Sequence, residues 1–405
     1  MRVCVLGAGI TGLATAYQLT LAGHEVTVVD RAGAAEGASA GNGGQLSYAY
    51  VQPLADPAIW RELPRLLLSP SSPLKVRPGV DLHQWRWGTQ FLAACNAARS
   101  RTTTARLLAL SAFSRVHFDA FREREGVDCD FSATGKLVLC RDEAAFRSAR
   151  AQMQLQRRLG GPEQEAVGAA EALALEPALA GSPQPLAGAI FTPGECAADC
   201  RKVCDALAAL LVRRGVRLLL NTPVANWVRR GARVTAVATA QGEVEADAFV
   251  LAAGSGSAVL ARGVGVRLPV YPLKGYSITV PIVDDARAPR VNITDGSRKM
   301  VFARLGGRLR VAGMAELVGN DASIPRARIE TLCRATEDVF RGACDFSEPR
   351  PWTGMRPATP TGEPVVGIDP AGPHNLVFNT GHGALGFTLA FGTAQQVVEV
   401  LAKGA

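Results

Sequence analysis

Three stretches of this chain combine glycines and polar residues at spacings that suit chemistry. Gly7-Ala-Gly9-Ile10-Thr11-Gly12 follows a short apolar run, Val3 to Leu6, and opens a helix-like segment. In such a strand, turn and helix, Gly7 permits the tight turn, Gly9 lets backbone approach a pyrophosphate, and Gly12 lets helix and strand pack closely. The helix start then offers unpaired N–H groups and a positive dipole end to phosphate. A second apolar run, Val26 to Val29, leads into Asp30, where a carboxylate can accept hydrogen bonds from a ribose. The stretch Ser39-Ala-Gly41-Asn42-Gly43-Gly44-Gln45 carries many backbone N–H groups and few side chains, as a loop lying against a flat ligand would. Near the other end, Asn379-Thr-Gly381-His382-Gly383-Ala-Leu385-Gly386 again reads as strand, glycine loop and helix. A chain that begins and ends with this device is expected to bring both to one ligand.

The remaining elements must position these stretches. Residues 50 to 125 are proline-rich at first (Pro53, Pro57, Pro64, Pro70, Pro73, Pro78) around apolar pieces such as Leu66-Leu67-Leu68. Helical patterns follow around Trp85, Trp87 and Phe91 and then from Leu107 to Phe121, so the section reads as a helical insertion. Lys136 to Cys140 reads as a strand, followed by a long amphipathic helix. Val203 to Arg213 reads as a helix, and alternating strands run from Val216 to Ala246. Asp247 to Ala253 runs as a buried strand into the Gly254 turn. These are the return strands expected of a nucleotide domain assembled from discontinuous segments. Residues 265 to 350 are strand-rich and suggest an antiparallel sheet that carries a substrate site.

Composition narrows the function classes. The chain has 405 residues, enough for two domains, with 48% hydrophobic and 20% charged residues. No long stretch is free of polar or glycine interruption, so a membrane-spanning helix is not expected. The net charge of +8 favours anionic partners, but the arginines are scattered and nucleic acid binding is not expected. An anionic cofactor, a carboxylate substrate or an acidic membrane surface accounts for the excess. Nine cysteines without a paired framework point to a reducing compartment. Cys196, Cys200 and Cys204 read as one stripe of a helix, too extended for one zinc (~12 Å at ~1.5 Å per residue), so no metal site is expected. Arg2, the apolar run and Ala14-Thr-Ala16 have the outline of a secretory signal. The glycines in register and the strand ending in Asp30 place the segment inside the fold, and a cytoplasmic location is expected.

Together these pieces resemble one family. The fingerprint with Asp30-Arg31, the Ser39–Gln45 loop and Tyr271-Pro-Leu-Lys274-Gly-Tyr276-Ser are three of its marks. Trp352-Thr-Gly354-Met-Arg356-Pro-Ala-Thr-Pro360-Thr-Gly-Glu-Pro-Val-Val-Gly367 and the Asn379–Gly386 loop complete them. Over essentially its whole length the chain resembles the FAD-dependent D-amino-acid dehydrogenases of bacteria, small-subunit type, within the D-amino-acid oxidase and glycine oxidase superfamily. It stops soon after its last helix, where some members carry a longer tail. The resemblance implies an α/β (α+β) fold: a Rossmann-like FAD-binding domain and a discontinuous antiparallel-sheet substrate domain. The first is expected from 1–50, 195–265 and 350–405, the second from 51–194 and 266–349 with the helical insertion. It also implies FAD held at Gly7, Gly9, Ile10, Thr11 and Gly12, with Asp30 and Arg31 at the adenosine ribose. Ser39, Asn42, Gly43, Gly44, Gln45 and Leu46 would line the flavin, Val224 the adenine, and Gly254 the pyrophosphate. Gly381, His382, Gly383, Leu385 and Gly386 would face the flavin N1–C2=O edge, where a helix N-terminus stabilises the negative charge of the reduced ring.

In such an enzyme the flavin carries the difficult chemistry and the protein aims the substrate. Arg356, with its planar fork, is the expected partner of a substrate carboxylate. Tyr276, Tyr48 and Tyr50 are candidate hydroxyls for carboxylate or amine, Lys274 is a candidate second cation, and His382 could tune the flavin or meet the substrate. The expected reaction is oxidative deamination of a D-amino acid, with electrons passed to a quinone or other carrier. Peripheral contact with the inner membrane goes with such a carrier. One alternative is a secondary amine substrate such as proline, hydroxyproline, sarcosine or glycine. Another is a flavin-binding subunit without turnover.

Overall fold

The computed structural model describes residues 1–60, 74–77 and 79–403, so Leu66-Leu67-Leu68 and Pro64, Pro70, Pro73 and Pro78 lie outside the described residues. Runs apolar on both sides, such as Val3–Leu6, Val26–Val29 and Ala248–Leu251, must be covered on both faces, which is the environment of a central parallel sheet. They are the middle of a six-stranded sheet in the spatial order Val365–Ile368, Leu376–Thr380, Ala248–Leu251, Arg2–Leu6, Glu25–Val29 and Arg217–Leu219. All neighbours in it are parallel except Val365–Ile368, which runs antiparallel to Leu376–Thr380. One face is covered by the helices Ile10–Leu21, Cys200–Arg213 and Gly386–Lys403. The other packs on a three-stranded antiparallel sheet (Val224–Arg230, Arg233–Thr239, Gly242–Glu245) and the helix Ser257–Arg262.

A larger, mixed sheet lies beyond. Its spatial order is Arg350–Ala358, Tyr271–Pro281, Arg308–Leu317, Met300–Leu305, Asn292–Asp295, Lys136–Cys140, Gly188–Thr192 and Glu165–Gly168, with Leu74–Val76 pairing alongside Arg308–Leu317. Asn292–Asp295 and Lys136–Cys140 pair in parallel, so the sheet is not purely antiparallel. Strand alternation divides its residues between two faces. Tyr276, Ile278 and Val280 point into a core closed by the helix Arg326–Val339. Gly275, Ser277 and Thr279 point the other way, toward the six-stranded sheet and its loops.

Three expectations need correction. Residues 350–358, assigned by sequence to the nucleotide part, pair along their whole length with Tyr271–Pro281 in the large sheet. The long helix Ala97–Glu125 of the insertion packs in the core of the six-stranded sheet, where Phe118 and Phe121 lie 5.2 and 4.9 Å from the Phe391 ring. Cys196 sits in a short strand paired with Leu46, so only Cys200 and Cys204 share a helix. In each case the partner that decides the placement lies far away in sequence. The closing helix also passes the length and hydropathy test for a membrane span, although 56% of its apolar window is buried inside the protein.

Candidate active site

The opening turn is set before any ligand arrives. Gly7 has φ +120°, and a Cβ there would strike the Ala252 carbonyl; a Cβ on Gly12 would strike the Gly7 carbonyl. The Ile10 N–H donates to the buried Ser39 hydroxyl at 3.0 Å. The Thr11 and Gly12 N–H groups are among the first of the helix, which have no carbonyl four residues back inside it. Asp30 ties the second strand to this turn: one carboxylate oxygen accepts from Ala8 N–H at 2.6 Å, the other from Ala32 N–H at 2.8 Å. Each oxygen keeps a further lone pair. Arg31 is exposed, and Val224 and Gly254 are half-buried. The Thr380 hydroxyl donates to the Gly254 carbonyl at 3.1 Å, which joins the return strand to the closing loop.

The second glycine stretch lies flat on the large sheet. The Ser277 hydroxyl donates to the Gly41 carbonyl at 2.7 Å, and Arg310 Nη1 donates to the Asn42 carbonyl at 2.8 Å. Side chains at Gly41 and Gly43 would collide with Trp352 and Val301. The structure corrects the part expected of two side chains. Asn42 accepts from Gly44 N–H at 2.9 Å, and Gln45 Nε2 donates to the carbonyls of Ile293 and Phe302 at 2.9 and 3.0 Å. Both are engaged in holding the loop to itself and to the sheet, which leaves backbone as what the loop offers a ligand. Leu46 is fully buried.

The candidate catalytic residues separate by face. Arg356 lies opposite Leu273 in the strand register, and its guanidinium packs over Gly275, where a Cβ would collide with it. It therefore sits on the side of the glycine loop. Nη1 donates to the Met314 carbonyl at 2.8 Å, and no carboxylate pairs with it among the described residues. Burial draws its pKa down to about 10. Tyr276 and Lys274 were expected beside it and are not. They project from the opposite face, where the Tyr276 hydroxyl donates to Glu316 at 2.8 Å and Lys274 Nζ lies 3.7 Å from Asp321. Glu316 also pairs with Arg328 at 2.6 Å. This is a structural ion network on the side of the helix Arg326–Val339.

Tyr48 is buried, with Arg115 stacked 5.2 Å from its ring centroid, whereas Tyr50 keeps 39% of its surface exposed. His382 is 2% exposed, and its Nε2 lies 3.0 Å from Thr393 Oγ1 in the closing helix. Burial lowers its pKa to about 4. A neutral ring tied to that helix is not placed for acid–base work; it holds the loop between Gly381 and Gly386. The depressed pKa sets a stability test. Between pH 6.5 and 4 the unfolded chain binds a proton that the native ring refuses. The contribution is therefore complete above pH 6.5 and is lost as pH falls, by about 2 kcal/mol at pH 5. Replacing His382 with glutamine should remove this part of the acid loss in denaturation measured from pH 7 to 5; an unchanged slope contradicts it.

Sequence reading missed several polar residues around the loop. Arg310, Ser47, Lys136 and Glu195 are all at least nine-tenths buried. A lysine inside the apolar run Lys136-Leu-Val-Leu was the visible signal, since a buried lysine needs a reason.

The glycine cradle that any Cβ would fill, the free helix N–H groups and the backbone-lined loop fit an extended flavin dinucleotide. The chain belongs to the FAD dependent oxidoreductase family, whose model matches residues 2–400. It is 46% identical to "D-amino acid dehydrogenase 2" of Ralstonia nicotianae, over all of this chain and 97% of that protein. It is likewise 46% identical to "D-amino acid dehydrogenase 2" of Pseudomonas aeruginosa, over 99% of this chain and 95% of the other. Among solved structures it shares its fold with glycine oxidase from Geobacillus kaustophilus (TM-score 0.77, 21% identity, 99% of this chain and 95% of that one). Glycine oxidase from Bacillus cereus is similar (TM-score 0.76, 20% identity, 100% and 95%).

Proposed function

We propose that this flavoenzyme oxidatively deaminates D-amino acids to 2-oxo acids and ammonia and hands the electrons to a quinone or another carrier. The observation that carries the substrate class is Arg356, a half-buried guanidinium on the loop side of the sheet with no carboxylate partner among the described residues. The names of the 46% identical relatives support the D-amino acid. When bound, FAD supplies the two-electron acceptor for a hydride from the substrate Cα.

The chain's own residues do the rest. Gly7, Gly9 and Gly12 admit the pyrophosphate, on which the N–H groups of Thr11 and Gly12 converge, and the spare lone pairs of Asp30 receive the ribose. Arg31 lies next to that ribose site, Val224 edges the adenine, and Gly254 flanks the pyrophosphate. Backbone from Ser39 to Leu46 forms one wall of the flavin site. The turn from Gly381 to Gly386, held by His382, aims the start of the closing helix at the ring edge that gains negative charge. Arg356 receives the substrate carboxylate as a fork and turns the Cα–H inward. Tyr50, exposed beside the loop, meets the substrate from the other side. No side-chain base is required where the amine enters neutral.

Trp60, Leu82, Trp85 and Val80 are exposed in the helical section of a chain with net charge +8, which supports peripheral contact with an acidic membrane surface. A panel of D- and L-amino acids added anaerobically to the holoprotein tests the reading through bleaching of the oxidised flavin band. D-Alanine should bleach it and L-alanine should not. Faster bleaching by D-proline or hydroxyproline would move the assignment to secondary amines, and no bleaching by any amino acid would overturn it.

A further inference from the structure

Behind the glycine loop the chain buries charges that the reaction does not consume. Lys136 and Glu195 are each 1% exposed. Lys136 Nζ donates to the Ser47 hydroxyl at 2.8 Å and lies 4.5 Å from the centroid of the Tyr50 ring. One Glu195 oxygen accepts from Ala49 N–H at 2.6 Å, and the other has no hydrogen-bond partner among the described residues. Burial pushes the Glu195 carboxyl above its ordinary range, opposed in part by the Lys136 charge and the backbone N–H groups of Ala49 and Tyr48.

The segment these groups meet is already well fastened. Ser47 N–H donates to Thr388 Oγ1 at 3.1 Å, Ser111 Oγ to the Tyr48 carbonyl at 2.8 Å, and Gln156 Nε2 to the Ala49 carbonyl at 2.8 Å. Three neutral contacts from three helices fix the path of the backbone. Burying two further charges is a costly means of fastening it further, since well-packed apolar side chains usually serve as well. What the neutral contacts do not reach is the Tyr50 side chain. Its ring has the Lys136 cation behind it, and part of its surface is open. A desolvated cation within ~6 Å of a ring centroid orients that ring strongly. Burial lowers the Lys136 pKa to about 8, which still leaves it charged near neutral pH.

We propose that Lys136 is a positioning residue: anchored on Ser47 and balanced by Glu195, it holds the Tyr50 ring in the orientation that the substrate meets. The inference rests on Tyr50 facing the substrate. Three holoproteins test it: Lys136→Met, Tyr50→Leu and the double variant. The readouts are flavin content, the D-alanine dissociation constant and limiting rate from anaerobic flavin reduction, and the thermal midpoint. Lys136→Met should keep its flavin and raise the D-alanine dissociation constant about tenfold, and in the Tyr50→Leu background it should add less than about twofold, as coupled neighbours do. An unchanged constant in Lys136→Met, or two effects that multiply, overturns the inference.

A merely structural lysine would lower the thermal midpoint and leave the constant alone. Should Lys136→Met fail to fold, Ser47→Ala cuts only the anchor and should give the same rise and the same coupling to Tyr50. If no amino acid reduces the wild-type flavin, the functional reading fails instead. The inference rests on that reading and falls with it, whereas a wild-type flavin reduced by D-alanine together with an unchanged constant in Lys136→Met overturns the inference alone.

Discussion

Arg356→Met should lower kcat/KM for D-amino acids by two to three orders of magnitude while the flavin stays bound. The guanidinium spends one nitrogen on the Met314 carbonyl and meets no carboxylate among the described residues. Two charge-assisted bonds to a substrate carboxylate, taken at the lower end of their range (~1.5–2 kcal/mol each) because the guanidinium also serves the Met314 carbonyl, give a total of about 3–4 kcal/mol. At 1.36 kcal/mol per tenfold, that is roughly 150- to 900-fold. Arg356→Lys keeps a charge but loses the fork and should fall between the two. Rates of anaerobic flavin reduction against D-alanine concentration, normalised to flavin content, decide the matter. Wild-type kinetics in Arg356→Met would remove it from the substrate site. Methionine also removes a half-buried charge that has no carboxylate partner among the described residues, so the protein should be no less stable.

Gly12→Val acts on the cofactor and not on the substrate. The new Cβ is directed at the Gly7 carbonyl, and Gly7 is itself pressed against Ala252. Neither neighbour can yield without moving the strand Ala248–Leu251 or opening the turn. Overpacking of this kind costs about 1–3 kcal/mol. Taken out of FAD binding, that is roughly a ten- to hundredfold loss of affinity. Titration of the apoprotein with FAD, followed by flavin fluorescence, should show it, and a wild-type dissociation constant would contradict the phosphate role of this turn.

The legible parts of the fold were local. A strand, three glycines, a helix and a second strand ending in an acid are all within thirty residues, and each step follows from backbone geometry. The closing Asn379–Gly386 stretch was readable for the same reason. Face and pairing were not readable. Tyr276 and Arg356 lie on neighbouring strands, yet their side chains leave opposite faces, because register sets Leu273 and not Tyr276 against Arg356. Asn42 and Gln45 looked like ligand-facing groups, but their targets are a loop N–H and two carbonyls about 250 residues away. Lys136 gave a visible anomaly in a strand pattern, but Ser47 and Glu195, which explain it, are distant in sequence.

The order of strands in the six-stranded sheet also sets a timetable. Arg2–Leu6 is flanked by Glu25–Val29 and by Ala248–Leu251, and four of the six strands lie beyond residue 216. The helix that covers the opening helix, Gly386–Lys403, is made after every strand of that sheet. At ~5–20 residues per second, roughly 20 to 75 seconds of synthesis separate Asp30 from that helix. Until Arg217–Leu219 and Ala248–Leu251 follow, the opening strand–helix–strand unit carries unpaired apolar strand edges, templates for wrong pairing. Nascent chains of this protein should therefore draw on chaperones early and acquire flavin only once the helix Gly386–Lys403 has been made.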